Sequence, residues 1–265
     1  MEEFLRRMLT EWWGITAIVV VALGLWILIS ALLYRQFFKR FYDIVLSGMV
    51  LLIISPILLI LILIGWIKMK GNPFFVQLRP GKKKRNGNEK IFKLLKFRTM
   101  TNARGEDGEL LPDEQRLIKY GQWLRSTSLD ELPSLINIFL GHISIVGPRP
   151  QLVRDMTFMT SEQRKRHNVR PGLTGLAQVN GRNNITWEKK FDYDLEYING
   201  GISLLGDIKI IFKTVEKVLK RSDTVREGTV SDIDLGDYLL QEGKVSQEDY
   251  DQKQLEAKEI LRSKL

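Results

Sequence analysis

Asp130 and Glu131 stand side by side in the stretch SLDELPSL, residues 128–135. Arg125 precedes them, and GPRP (147–150) follows the next apolar run. An acid so placed could attack a phosphate as a nucleophile. The same residues could equally cap a helix. Ser128 with Glu131 three residues on fits a capping box; alternatively Asp130 is the cap and Pro133 falls in the first turn. Both readings put the acids at a helix N-terminus, where free N–H groups and the dipole favour anions and would keep Asp130 ionised.

The surroundings are basic. The 265-residue chain carries a formal charge of +9, which points to an anionic partner. It has no Cys and two His, so thiolate chemistry, disulfides and Cys-ligated zinc are excluded. His142 and His167 read as structural or surface residues. KFRTM (96–100), LRSTSLDELP (124–133), VGPRP (146–150) and VRPGLTGLAQVNGR (169–182) each join Arg or Lys to rigid Pro/Gly backbone. Such forks clamp phosphate. Arg79, Lys96, Arg98, Arg125, Arg149, Arg170 and Arg182 are the candidates for phosphate contact.

Two apolar segments precede these motifs. Residues 12–34 are uncharged and reach ~34 Å at ~1.5 Å per residue, enough to span a bilayer. Residues 44–67 are also long enough, but Ser55-Pro56 interrupts their middle. Arg35, Lys39 and Arg40 lie before this segment, and Lys68 and Lys70 after it. A full crossing would strand one basic flank outside, against the positive-inside rule. A broken, re-entrant helix keeps both flanks cytoplasmic, and Ser55 could satisfy backbone groups freed by Pro56. An ordinary kinked span is the alternative. Residues 202–221 form an amphipathic pattern, which suits either a membrane-interface helix or a helix covering a soluble core.

The polar region from about 71 to 200 reads as two short strands around the basic turn GKKKRNGNEK (81–90), with helices over 112–125, 131–141 and 187–198. No strand–helix alternation indicates a doubly wound sheet. The expected class is α+β: a mainly helical, membrane-associated domain with a re-entrant helix, short strands and interfacial helices. The expected division is a transmembrane helix (1–37), a central domain (38–221) that includes the re-entrant helix 44–67, and an acidic helical tail (222–265). The tail's last helix reads as solvated, and could pack on a partner or a second copy, making a homo-oligomer.

SPILLI, FVQLRPG, KFRTM, RSTSLDELPSLINIFLG, SIVGPRP and RPGLTGLAQVNGR, taken together, closely resemble the bacterial sugar transferase family, the monotopic phosphoglycosyl transferases. The resemblance covers about residues 38–221. It implies transfer of a sugar 1-phosphate from a UDP-sugar to polyprenyl phosphate, with release of UMP, at the cytoplasmic face of the cell membrane and with Mg²⁺. It implies that Asp130 attacks to form a phosphosugar-aspartyl intermediate, that Asp130 and Glu131 serve the metal, and that Ser55-Pro56 is the re-entrant break. Pro148, Arg149 and Pro150 match a region lining the nucleotide site.

Two rivals remain at this level. A UDP-releasing glycosyltransferase would use a DxD metal motif, matched by Asp192–Asp194 and Asp249–Asp251. A non-catalytic polybasic module would bind anionic membrane lipids through residues 81–90. Nucleic-acid binding is disfavoured, since no recognisable module is present.

Overall fold

A computed structural model describes residues 1–4, 12–181, 185–220 and 233–264. Helix α1 (Trp12–Leu32) and helix α2 (Lys39–Met69) are both long and apolar enough to cross a membrane. A π-helical turn, Tyr34–Phe38, joins them. The two helices bend toward each other there. Trp26 meets Phe38 edge-on at 5.2 Å, and Tyr42 donates to Ser30 at 3.0 Å.

Helix α2 stays helical through Pro56. Proline cannot donate to the Leu52 carbonyl four residues back. The Ser55 hydroxyl donates to that oxygen instead, at 2.8 Å. The predicted local compensation is present, although the chain does not break. One face of α2 lies along the polar domain for most of its length. Near its start, Asp43 accepts from the Ser144 hydroxyl at 2.7 Å and the Ile145 amide at 2.9 Å. Leu51 and Ile54 pack on a core of Phe92, Leu94, Leu135, Ile138 and Ile143. Near its end, Tyr120 donates to the Leu61 carbonyl at 3.0 Å, and Leu61 joins Phe97 and Leu124 in a second core. The opposite face is exposed and apolar, with Leu52 at 78% and Ile67 at 71%.

Strands β1 (Phe74–Lys83) and β2 (Glu89–Phe97) form an antiparallel hairpin around the basic turn, as the sequence predicts. The expected helix over 112–125 is two pieces, α3 (Asp113–Arg116) and α4 (Lys119–Ser126). Leu117 between them is extended because it forms a bridge with Met100. After a 3₁₀ turn (Leu129–Glu131), helix α5 (Ser134–Leu140) runs to Gly141, whose φ of +82° ends it. Strands β3 (Ser144–Val146) and β4 (Gly172–Thr174) pair in parallel. Helices α6 (Val153–Phe158), α7 (Leu176–Val179) and α8 (Trp187–Glu196) complete the domain. The architecture is therefore mainly helical with two small sheets, matching the expected α+β class.

Helix α9 (Leu204–Lys220) packs Ile210 and Ile211 on the domain and exposes Leu205, Phe212 and Leu219. Its buried Asp207 accepts from Tyr34 at 2.7 Å and Tyr197 at 2.8 Å, and pairs with Lys39. That carboxylate ties α9 to the junction of α1 and α2.

The tail is not a free solvated helix. Helices α10 (Leu235–Gln241) and α11 (Gln247–Arg262) dock on the domain. Leu235 is buried with Phe158, Trp187 and Phe191, and its amide donates to Asp155 at 3.0 Å. Lys253 donates to the Thr157 carbonyl at 2.9 Å, and Ala257 is buried. Leu235→Ala leaves a cavity worth about 2–5 kcal/mol. It is expected to accelerate amide hydrogen exchange across α11 while sparing β1–β2. Unchanged exchange in α11 would show that the tail docks without this anchor.

Candidate active site

The dyad is placed by the way α5 grips β2. Ser134 donates to the Leu95 carbonyl at 2.8 Å. Asn137 accepts from the Leu95 amide at 2.9 Å and donates to the Lys93 carbonyl at 2.8 Å. These bonds fix the turn before α5 beside the end of β2, where Lys96 projects. Glu131 then accepts from Lys96 Nζ at 2.7 Å and from Arg149 Nη2 at 3.2 Å through the same oxygen, Oε1.

Neither capping arrangement occurs. Ser128 sits in the left-handed region at φ +57°, and its side chain caps nothing. Pro133 takes the position before α5, so the acids occupy the 3₁₀ turn leading into the helix. The acids therefore do not sit in the first turn of α5, and the neighbours of Asp130 set its electrostatics. Burial first, and Glu131 second, push the Asp130 carboxyl above the usual range, while Lys96, Arg125 and Arg149 pull it back. No hydrogen bond from a described residue reaches the Asp130 carboxylate.

Arg79, Lys96, Glu131, Ser134, Arg149, Pro150, Gly172 and Leu173 are among the residues lining one pocket. Arg79 is braced by Gln77 at 2.6 Å and donates to the Pro150 carbonyl at 3.1 Å. Burial and the nearby Arg149 lower its pKa to about 10, so it stays cationic at neutral pH. Arg125 lies close enough to Asp130 to favour its charge and donates to Thr99 Oγ1 at 3.1 Å. Arg98 instead donates to the Met100 carbonyl. Arg170 donates to the Gly141 carbonyl and lines a different pocket. Arg182 lies outside the described residues. Pro148 accepts the Gly172 amide at 2.9 Å, locking the GPRP turn against the RPG turn.

Three buried charged groups, one of which supports the site, were not read from the sequence. Arg166, within a basic run resembling a solvated loop, is buried against Asp194 at 2.6 Å. It also donates to the Arg149 carbonyl at 2.8 Å, holding that arginine's backbone. Asp207 is the second; a charge among the buried positions of an amphipathic helix was its signal. Third, Glu89 accepts two bonds from Arg164, at 3.0 and 2.6 Å, and one contact from His167 at 3.2 Å.

Burial lowers the His167 pKa from 6.5 to about 4. Burial alone would raise Glu89, but His167 and Arg164 hold it well below the usual range. The unfolded chain thus protonates His167 before the native one does, so stability falls as pH drops from about 6.5 toward 4. His167→Gln is expected to flatten this limb of melting temperature against pH. An unchanged slope would refute the assignment.

The DxD readings fail on geometry. Asp194 is consumed by Arg166; Asp249 bonds Ser246, and Asp251 accepts from Gln247. Among the described residues no group of three or more His, Asp or Glu could hold a metal. The dyad offers two carboxylates, which suffice for Mg²⁺ only if substrate oxygens supply the rest.

The family described as "Bacterial sugar transferase" matches residues 34–221. An uncharacterized sugar transferase of Bacillus subtilis, EpsL, is 46% identical over 181 residues, covering 68% of this chain and 87% of the relative. A UDP-glucose:undecaprenyl-phosphate glucose-1-phosphate transferase of Klebsiella pneumoniae is 42% identical over 190 residues. Its counterpart in Escherichia coli K12 is 39% identical over 193 residues. The matches cover 68% and 69% of this chain, but each spans only 40% of the relative.

Proposed function

The chain belongs to the bacterial sugar transferase family, and we propose that it transfers a sugar 1-phosphate from a UDP-sugar to polyprenyl phosphate, releasing UMP. The observation carrying this reading is the pocket in which Glu131 meets Lys96, Arg149 and Arg79, with Asp130 next to it in the chain and within the field of Lys96 and Arg149. The names of two relatives, which include UDP-glucose and undecaprenyl phosphate, support the donor and acceptor classes.

In the first step Asp130 attacks the sugar-linked phosphorus. An aspartyl P–O bond forms, the P–O bond to UMP breaks, and the leaving oxygen takes the electron pair. In the second, a phosphate oxygen of the lipid attacks the same phosphorus and displaces Asp130. The product is a polyprenyl diphosphate sugar, and the carboxylate is regenerated. Lys96, Arg149 and Arg79 neutralise charge on the phosphoryl oxygens and aim them. Glu131, held by Lys96 and Arg149, keeps those cations beside the nucleophile. Mg²⁺, held by Asp130 and Glu131, would supply further charge neutralisation to the diphosphate. Incubation with a UDP-sugar lacking acceptor should add a phosphosugar mass to the Asp130 peptide; its absence from enzyme that transfers the same sugar phosphate once acceptor is added would contradict the covalent step.

Both ends of α2 contact the same domain, Asp43 through β3 and Leu61 through Tyr120. We place α2 in the cytoplasmic leaflet, entering and returning by a bend at Pro56, with the exposed face of α9 lying in the interface. The catalytic domain then faces the cytoplasm, where basic flanks are favoured. Single cysteines introduced at Arg40 and at Lys70 should label from the same side. Labelling from opposite sides would refute re-entry. On this placement the product starts assembly of a surface glycan such as an exopolysaccharide, and the dyad sits where a lipid phosphate arrives.

A further inference from the structure

Arg170 and the β1–β2 hairpin build a second cationic pocket, which the transfer chemistry leaves unused. It measures about 210 Å³ and is lined by Lys82, Lys83, Lys84, Lys90, His142 and Arg170. Gly81, Phe92 and Gly141 complete it, and none of the lining residues is acidic. Five permanent cations around one concavity repel one another until an anion enters. Burial, and then Lys90, push the His142 pKa down, the direction expected beside uncompensated positive charge.

The pocket is built rather than incidental. A Cβ at Gly81 would stand 2.9 Å from the Lys90 carbonyl and 3.1 Å from the Phe92 ring, so only glycine lets the strands close there. The Lys84 amide donates to Asn88 at 2.8 Å, and the Lys84 carbonyl accepts from Gly87 at 3.0 Å, which fixes the hairpin tip. Phe92 stacks on His142 at 5.8 Å. Arg170 is held at the rim by its 3.0 Å bond to the Gly141 carbonyl.

What borders the pocket identifies its occupant. Gly141 follows directly on Phe139 and Leu140 of α5, exposed to 46% and 61%. Phe139 in turn lies against Gly48 of α2, whose outer face is apolar. A cationic pocket continuous with an exposed apolar surface suits an amphiphile with an anionic head. Its volume is below the roughly 300–1,000 Å³ of pockets for drug-sized ligands, which favours a small headgroup over a nucleotide. We infer that this pocket binds the phosphate headgroup of an anionic membrane lipid, at a place separate from the dyad, with the lipid chains lying over Phe139, Leu140 and α2. The inference rests on the bilayer placement proposed above and not on the transfer step. Its neighbour, the dyad pocket, shares none of its lining residues.

The test is calorimetric binding to the full chain in a neutral detergent. The probes are dioctanoyl phosphatidylglycerol, dioctanoyl phosphatidylcholine and inorganic phosphate. Phosphatidylglycerol should bind at least ~10-fold more tightly than either of the others. Lys84→Gln with Lys90→Gln should weaken it by ~10-fold or more, as expected for two lost lysine contacts with an anionic headgroup. Both side chains are exposed, so the melting temperature should hold, and Lys84→Arg with Lys90→Arg should retain binding. Asp130→Asn should leave binding unchanged, which separates this pocket from the transfer chemistry. Equal binding of the two lipids would overturn the inference, as would indifference to the double Gln substitution. Inorganic phosphate binding as tightly as phosphatidylglycerol would assign the pocket to a soluble anion and overturn the lipid reading.

Discussion

Asp130→Asn is expected to lower sugar-phosphate transfer by at least ~10³-fold, the scale on which removing a nucleophile acts. The amide keeps the shape of the carboxylate but cannot attack phosphorus. The fold should not suffer, because Asp130 caps no helix and accepts no hydrogen bond from a described residue. Its carboxyl is pushed upward by burial and by Glu131, so its ionised form opposes folding at neutral pH. Removing the charge should leave the melting temperature unchanged or slightly higher. Glu131→Gln is a different experiment. It removes the negative charge paired with both Lys96 and Arg149, so it should loosen donor binding and slow the chemistry together. Full turnover by Asp130→Asn, with UDP-sugar and acceptor saturating, would remove the nucleophile assignment.

The second large effect is expected from the buried pair of Arg166 and Asp194. Both side chains are almost fully buried, at 1% and 3% exposure, so removing either leaves an uncompensated charge. Asp194→Ala should cost about 3–5 kcal/mol of stability. Asp192→Ala, at an exposed position, should change stability by no more than about 0.5 kcal/mol. A metal-binding DxD motif predicts the opposite pattern, with both substitutions weakening metal–nucleotide binding and neither unfolding the protein. Denaturant unfolding of the two variants discriminates. Replacing both partners by apolar residues should recover part of the loss, since a matched apolar pair avoids the stranded charge. Arg166→Ala should additionally raise the donor KM, because Arg166 holds the backbone of Arg149.

The sequence was most legible where one periodicity or one turn decides the structure. The two apolar helices follow from long hydrophobic runs, and the β1–β2 hairpin from paired strand patterns around GKKKRNGNEK. Helix α9 follows from its amphipathic stripe, and the end of α5 from Gly141. The dyad's chemical setting was legible as a concentration of Arg and Lys near rigid turns. Legibility failed where a distant partner decides. Leu117 leaves the helix because Met100, seventeen residues earlier, offers it a bridge. Little local marks α11 as docked, since it is mostly polar and its contacts are the scattered Tyr250, Lys253 and Ala257, which meet Phe158, Thr157 and their neighbours far back in the chain. Ser128 and Glu131 match the capping pattern, yet Glu131 is drawn to Lys96 and Arg149 instead, because two cations outweigh one backbone N–H. Arg170 shares its motif style with Arg149 but faces the hairpin, since its own bond to Gly141 turns it there.

The most direct test of the central claim is the nucleotide released when the purified chain meets a panel of UDP-sugars with polyprenyl phosphate and Mg²⁺. The account predicts UMP, formed with at least one sugar and lost in Asp130→Asn. UDP as the released nucleotide would contradict it, because the sugar would then have moved without its phosphate and Asp130 would have had no phosphorus to attack.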